Sequence, residues 1–411
     1  MDNLRINADR LWNSLMEMAR IGATPKGGVC RLALTDLDRQ SRDLFTRWAK
    51  AIGCTVEVDA VGNMFARRAG RDPSRPAVMT GSHLDSQPTG GKFDGAYGVL
   101  AGLEVLRTLH DLDIQTEAPV EVVVWTNEEG SRFAPAMMGS GAYAGVFSLE
   151  DTLGKTDQEG QSFGGALEAI GYRGEGLGGR PCAAYFEAHI EQGPILEANA
   201  KTIGVVTGAQ GQRWYEVTLT GQEAHAGPTP MARRKDALLG AAKVVQGVNA
   251  IGHAPQPGAC ATVGMLKVHP ASRNVIPGEC WLTVDCRHPD DAQLLEMDRR
   301  LRALVAQAAA EGGLTFEIKQ IWEFPATPFT PELVDAVRRG AAQGGYAHQD
   351  IISGAGHDAI YMARVAPTAM IFVPCEEGIS HSEIENATPQ DLAAGCTVLL
   401  NAILDRAGGS R

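Results

Sequence analysis

A chain of 411 residues, 44% apolar and 21% charged, has the composition of a soluble globular protein and is too long for one ordinary core, so about two domains are expected. The formal charge of −12 argues against nucleic acid or an anionic membrane as partner, while leaving room for a small anionic substrate held by a local arginine. No apolar run long enough for a membrane span and no signal-peptide pattern is present, and the eight cysteines are scattered without paired spacing, which together point to a cytoplasmic protein with reduced thiols.

Apolar residues recur at helical spacing over residues 7–20, and Thr35 with Asp38 forms a capping box for a second helix that ends at Gly53. Strands are expected at 55–60 and 63–67, then a short buried one at Ala77-Val78-Met79. A helix over 96–112 and a β-branched strand over 120–126 follow. This alternation predicts a largely parallel sheet with helices on both sides. Residues 149–181, rich in Gly, Glu and Gln, read as a surface excursion; a strand follows at 183–187, and 204–211 reads as a linker. From Gln212 the pattern changes to strand, helix, strand, strand, helix, strand, with elements at 214–220, 231–251, 261–268, 279–287, 290–311 and 315–322. That is the ferredoxin-like βαββαβ unit. It divides the chain into a discontinuous domain, 1–211 with 326–411, and an inserted one, 212–325. A helix at 331–342, a strand at 368–373 and a closing helix from Pro389 to about Asp405 complete the first.

The polar stretch GSHLDSQPTGGKFDG (81–95) sits at the end of a predicted buried strand, where open α/β sheets bind ligands. It offers His83, Asp85 and Asp94. His189 and His381 follow other predicted strands of the same sheet, and the strand over 120–126 ends in Asn127-Glu128-Glu129-Gly130. Neighbouring side chains diverge, so one of the two glutamates is free to bind a metal while the other faces substrate; the alternative for this motif alone is an acidic pair that caps a helix N-terminus and binds nothing. His83, Asp94, Glu129, His189 and His381 make five imidazole and carboxylate donors, which suit two metal ions sharing a carboxylate.

The set GSHLDS, GGKFDG, NEEG, HIEQGP, AHAGPTP, RNVIPGE, DCRHP, SGAGHDA and GISHSE resembles the zinc-dependent amidohydrolases that include N-carbamoyl-L-amino acid hydrolase, yeast-type β-ureidopropionase and allantoate amidohydrolase, within the dinuclear metallopeptidase and aminoacylase clan. The match runs along essentially the whole chain. The resemblance implies a metal-binding α/β domain with an inserted lid that also dimerises. It implies two divalent ions per subunit (Zn, or Mn, Co or Ni), one on His83, Asp94 and His189 and the other on Asp94, Glu129 and His381. Asp85 is implied to orient the His83 ring, and Glu128 to serve as general base. His225 and Asn274 are implied as oxyanion donors, with Gln192, Gly356 and His357 lining the substrate site and Arg287 holding the substrate carboxylate. The implied reaction is hydrolysis of the carbamoyl C–N bond of an N-carbamoyl-L-amino acid or N-carbamoyl-β-alanine by a homodimer. His189, where the peptidase branch has a carboxylate, favours that reading over an aminoacylase or dipeptidase; an allantoate amidohydrolase remains the nearest alternative. Two further readings stand beside these. SGAGHDA fits G-x-G-x-x-A with Glu376 about twenty residues on, a weak dinucleotide signal far from any first βαβ unit. A metal-bearing scaffold without catalysis would have no use for Glu128 beside the ligands. The RRKD run (233–236) reads as a solvated helix face.

Overall fold

Val120–Trp125 is buried at every position, as expected of a strand covered on both sides. Even Glu121 within it is 1% exposed, its carboxylate held by Arg67 Nη1 at 2.6 Å. In the computed structural model, which describes residues 4–410, this strand lies inside a sheet ordered Thr55–Val58, Met64–Arg68, Val120–Trp125, Ala77–His83, Cys182–Ile190, Thr368–Val373 and Ile203–Ala209, with His348–Ser353 also paired to the last. The four middle strands are mutually parallel, and antiparallel pairs flank them. Register aligns their C-terminal ends, with His83 opposite Trp125 and His189 opposite Phe372. Helices Ala96–Asp111, Pro331–Gln343 and Pro389–Ala407 pack on these strands and share one continuous apolar core with them. The sheet belongs to a compact unit formed by the chain up to Thr207 and from Phe329 onwards.

A second unit, Gly208–Pro328, has its own core. It runs strand Gly211–Thr220, helix Ala237–His253, strands Cys260–His269 and Glu279–His288, helix Asp291–Gly312 and strand Thr315–Phe324. The four strands form an antiparallel sheet with Cys260–His269 and Thr315–Phe324 at its edges. Tyr215, Val217, Leu219, Leu282 and Val284 alternate inward and meet Val244, Val248, Leu301 and Val305 of the helices, the period-2 burial of a sheet covered on one side. A short ribbon, Ala224–His225 with Val275–Ile276, was not legible as strand.

Four readings are corrected. The stretch 149–181 is anchored: Phe163, Ala166, Leu167 and Ile170, on and just after helix Phe163–Ala169, join Leu34, Val61 and Phe133 in a small separate core. Residues 204–211 are no linker, because Ile203, Val205 and Val206 are fully buried in a strand. His189 lies inside strand Cys182–Ile190, and His381 eight residues beyond Val373, so neither sits immediately past a strand end. The RRKD run precedes the helix instead of lining it; Asp236 caps the helix by accepting from the amides of Leu238 and Leu239. Thr35 accepts from the Asp38 amide as expected, whereas the Asp38 carboxylate turns to Leu34 N and Arg42.

Candidate active site

Four parallel strands deliver the donors. His83 ends its strand, and its buried ring is oriented through Nδ1, 2.9 Å from the main-chain oxygen of Asp85. The Asp85 carboxylate therefore has another task than the one expected. It lies 3.9 Å from Nδ1, too far for a hydrogen bond, and accepts the amides of Glu128 (3.3 Å) and Glu129 (3.2 Å), shaping the turn that carries both glutamates. That turn begins at Asn127 with φ +56°, a left-handed conformation asparagine tolerates better than most residues.

Asp94 is the hub. Its Oδ1 lies 3.2 Å from His189 Nε2 and 3.7 Å from His83 Nε2, and its Oδ2 lies 3.3 Å from His381 Nε2. His381 Nε2 is also 3.3 Å from Glu129 Oε2. Two donor groups result, His83/Asp94/His189 and Asp94/Glu129/His381, each with its atoms within 4.8 Å of one another and sharing Asp94. Glu128 belongs to neither group, yet its Oε2 is 3.5 Å from His83 Nε2. Gly95, next to the hub, has φ +63°, and a Cβ there would fall 2.3 Å from the His83 ring. Only glycine lets that ring pack against the turn.

Charge is unbalanced here. Burial, then the neighbouring carboxylates, push Glu128 and Glu129 well above the usual carboxylate range. Burial lowers His83 to about 4. For His189 burial also pulls downward, but the hydrogen bond and charge of Asp94 outweigh it and raise the ring to about 9. The ion-pair partners found at Asp94, Glu128 and Glu129 are histidines. Three buried carboxylates facing imidazoles fit divalent cations of the zinc or manganese type in charge and in donor chemistry.

The other expected residues fall in two places. Gln192, with φ +58°, turns its amide to Asp94 Oδ2 and to Ser380 Oγ, both at 3.0 Å. His357 is buried, its ring 4.5 Å from that of His189 and its Nε2 3.0 Å from Ser353 Oγ, with the exposed Gly356 beside it. His225, Asn274 and Arg287 belong to the second unit. His225 and Asn274 adjoin in the ribbon, where Ala226 N donates to Asn274 O at 2.8 Å, and both are exposed. Arg287 pairs with Asp285 at 2.8 Å. Sequence reasoning missed Gln87, which donates to Glu129 through backbone (3.1 Å) and side chain (2.7 Å), and also missed Ser380 and Glu385. Gln87 lies within the 81–95 stretch, so its place there was a usable signal; Glu385 offered none.

Residues 79–405 match the sequence profile of the peptidase family M20/M25/M40. The chain is 50% identical to an N-carbamoyl-L-amino-acid amidohydrolase of Rhizobium meliloti over 99% of its own length and 98% of that protein's. It is 33% identical to a ureidoglycolate hydrolase of Arabidopsis thaliana, covering 97% of this chain and 86% of that one. A crystal structure of an amidase of the hydantoinase/carbamoylase family from Burkholderia multivorans superposes with a TM-score of 0.94 at 64% identity, covering 98% of both chains. Shared along nearly its whole length, sequence and fold agree with the donor geometry: the chain belongs to the peptidase family M20/M25/M40.

Proposed function

We propose that this protein is an N-carbamoyl-L-amino acid amidohydrolase that works with two divalent cations. The observation that carries the reading is the pair of donor groups sharing Asp94, with Glu128 close by but in neither. Relatives named for this activity, in Rhizobium meliloti and in Geobacillus stearothermophilus, support it. His83, Asp94 and His189 hold one cation, and Asp94, Glu129 and His381 the other. When bound, such a pair supplies Lewis acidity that polarises a carbonyl and acidifies water.

The chain's own residues do the rest. Glu128 takes a proton from the attacking water and passes it to the departing amino nitrogen, so that the ureido compound plus one water gives the amino acid, carbon dioxide and ammonia. Its burial among carboxylates suits a group that must hold a proton between those steps. The Asp85 carboxylate, through the amides of residues 128 and 129, keeps Glu128 apart from Glu129. His225 and Asn274 are donors to the oxyanion, and Arg287 binds the substrate carboxylate through its planar fork. In this reading the βαββαβ unit 208–328 is a ferredoxin-like lid and the site of homodimerisation. Its edge strand Cys260–His269 leaves Met265 at 51% and Leu266 at 45% exposure, and the helix Ala237–His253 leaves Leu239 at 57%, surfaces that a second copy would cover. Eight unpaired cysteines suit a reducing cytoplasm.

The Arabidopsis relative, named a ureidoglycolate hydrolase, supports one other substrate class, ureido acids such as ureidoglycolate, and allantoate is the neighbouring alternative to test. Turnover of N-carbamoyl-L-amino acids, N-carbamoyl-β-alanine, allantoate and N-acetyl amino acids, with and without chelator, tests the proposal. Preference for N-acetyl substrates, or full activity in verified metal-free protein, overturns it.

A further inference from the structure

The donors are not held equally. His83 and His189 ride on buried strands and are 2% and 1% exposed. The His381 side chain is 52% exposed, on a loop where its own φ is +53°. Something must hold that loop against Asp94. Glu385, 1% exposed, is placed to do so. Its Oε1 accepts the backbone amides of Phe93 (2.9 Å) and Asp94 (3.1 Å), and its Oε2 accepts Ser380 Oγ at 3.0 Å. Ser380 Oγ is also 3.2 Å from Asp94 Oδ2 and receives the Gln192 amide. A hydroxyl has one hydrogen, so Ser380 donates to one carboxylate at a time while Gln192 donates to both Ser380 and Asp94. Gly91, three residues before Asp94, makes room: a Cβ there would lie 2.0 Å from the Glu385 carboxyl. Residues 291 positions apart in sequence are thus closed on each other through one buried carboxylate.

We propose that Glu385 is a positioning residue which, by clamping the backbone of Asp94 to the loop of His381, sets the spacing of the Asp94/Glu129/His381 group. The inference rests on the reading that the two groups bind cations. The structure assigns the clamp to the second group because His83 and His189 have strands to hold them, whereas His381 has only this loop. Partners that orient metal ligands commonly change affinity by ~10–100-fold when removed.

The test is cation uptake by the full-length protein, measured with zinc by equilibrium dialysis, elemental analysis and competition with a chelator. The wild type should take up two equivalents. Glu385→Ala should weaken the second by ~10–100-fold and the first by a clearly smaller factor. Glu385→Gln should restore the second equivalent, because its carbonyl still accepts both amides and its NH2 donates to Ser380. Melting of the metal-free proteins identifies an unfolded variant. Should Glu385→Ala not fold, Ser380→Ala, which removes the hydroxyl shared by Glu385, Asp94 and Gln192 but leaves the Glu385 bonds to the amides of Phe93 and Asp94, must show the same selective loss in smaller degree. A folded Glu385→Ala protein with both affinities intact, or one in which both equivalents fall alike and Gln does not rescue, overturns the inference. A wild type that binds fewer than two equivalents instead overturns the two-cation reading beneath it.

Discussion

Replacing Gly95 with alanine probes the packing beneath the hub. At φ +63° and ψ −52°, a strained region outside the left-handed helix, alanine costs ~1–3 kcal/mol more than glycine. The new Cβ would lie 2.3–2.4 Å from three atoms of the His83 ring, against an ordinary contact of about 3.5–4.0 Å, so the ring must retreat by roughly 1 Å or more. His83 is buried and its Nδ1 is fixed to the Asp85 carbonyl at 2.9 Å. Retreat breaks that bond, adding ~1 kcal/mol. The total loss is ~2–4 kcal/mol, and cation affinity at His83/Asp94/His189 should fall by ~10–100-fold because Nε2 leaves its place. Gly145→Ala separates strain from clash, since Gly145 has φ +74° but nothing within 4 Å of its added Cβ. It should carry only the backbone cost of ~1–2 kcal/mol and bind cations normally. Thermal denaturation of the metal-free proteins and zinc competition read both effects. Matched melting temperatures and matched zinc affinities in the two variants would refute the argument that the His83 ring depends on the missing Cβ.

Glu128→Gln should keep cations while turnover falls ~100-fold or more, and Glu129→Gln should lose cation affinity first; the reverse pattern in elemental analysis and kinetics would mean the two roles are exchanged. Arg287→Ala should reduce kcat/KM for an N-carbamoyl amino acid by ~1.5–3 kcal/mol and abolish its preference over the corresponding amide, whereas unchanged discrimination would remove Arg287 from the carboxylate site. Mixing inactive His225→Ala with inactive Glu128→Gln subunits should restore activity if the histidine serves a neighbouring subunit's site. No recovery in proven heterodimers would assign it to its own.

Strand 368–373 was legible to the residue because the apolar run Ala369–Val373 after Thr368 has one cheap solution, a strand buried on both sides. The same rule hid His189. A strand that carries Glu187 and His189 reads from sequence as ending at Glu187, and the contacts of His189 with Asp94 and of Glu187 with Ser82, Tyr185 and the Ala359 amide explain how both remain buried inside it. Residues 204–211 misled for a related reason: three glycines outweighed Val205 and Val206, which are fully buried. The donor residues themselves could be read because imidazole and carboxylate near strand ends carry chemistry in their type. Ser380 and Glu385 carry theirs only in position, and position depends on a contact across 291 positions that no local pattern encodes.

The two crossings into the second unit lie side by side, Ala209 opposite Thr327 and Gly208 opposite Pro328. One strand spacing, about 4.8 Å, therefore separates the points where the chain departs and comes back. From the standpoint of the surrounding sheet the whole excursion is a hairpin, whatever it contains. Doubling the length of an excursion adds only ~0.6 kcal/mol of closure entropy, and a segment that folds with its ends already adjacent avoids most of even that. The junction thus tolerates exchange: the inserted piece can be enlarged or replaced without disturbing the strands that carry the donors.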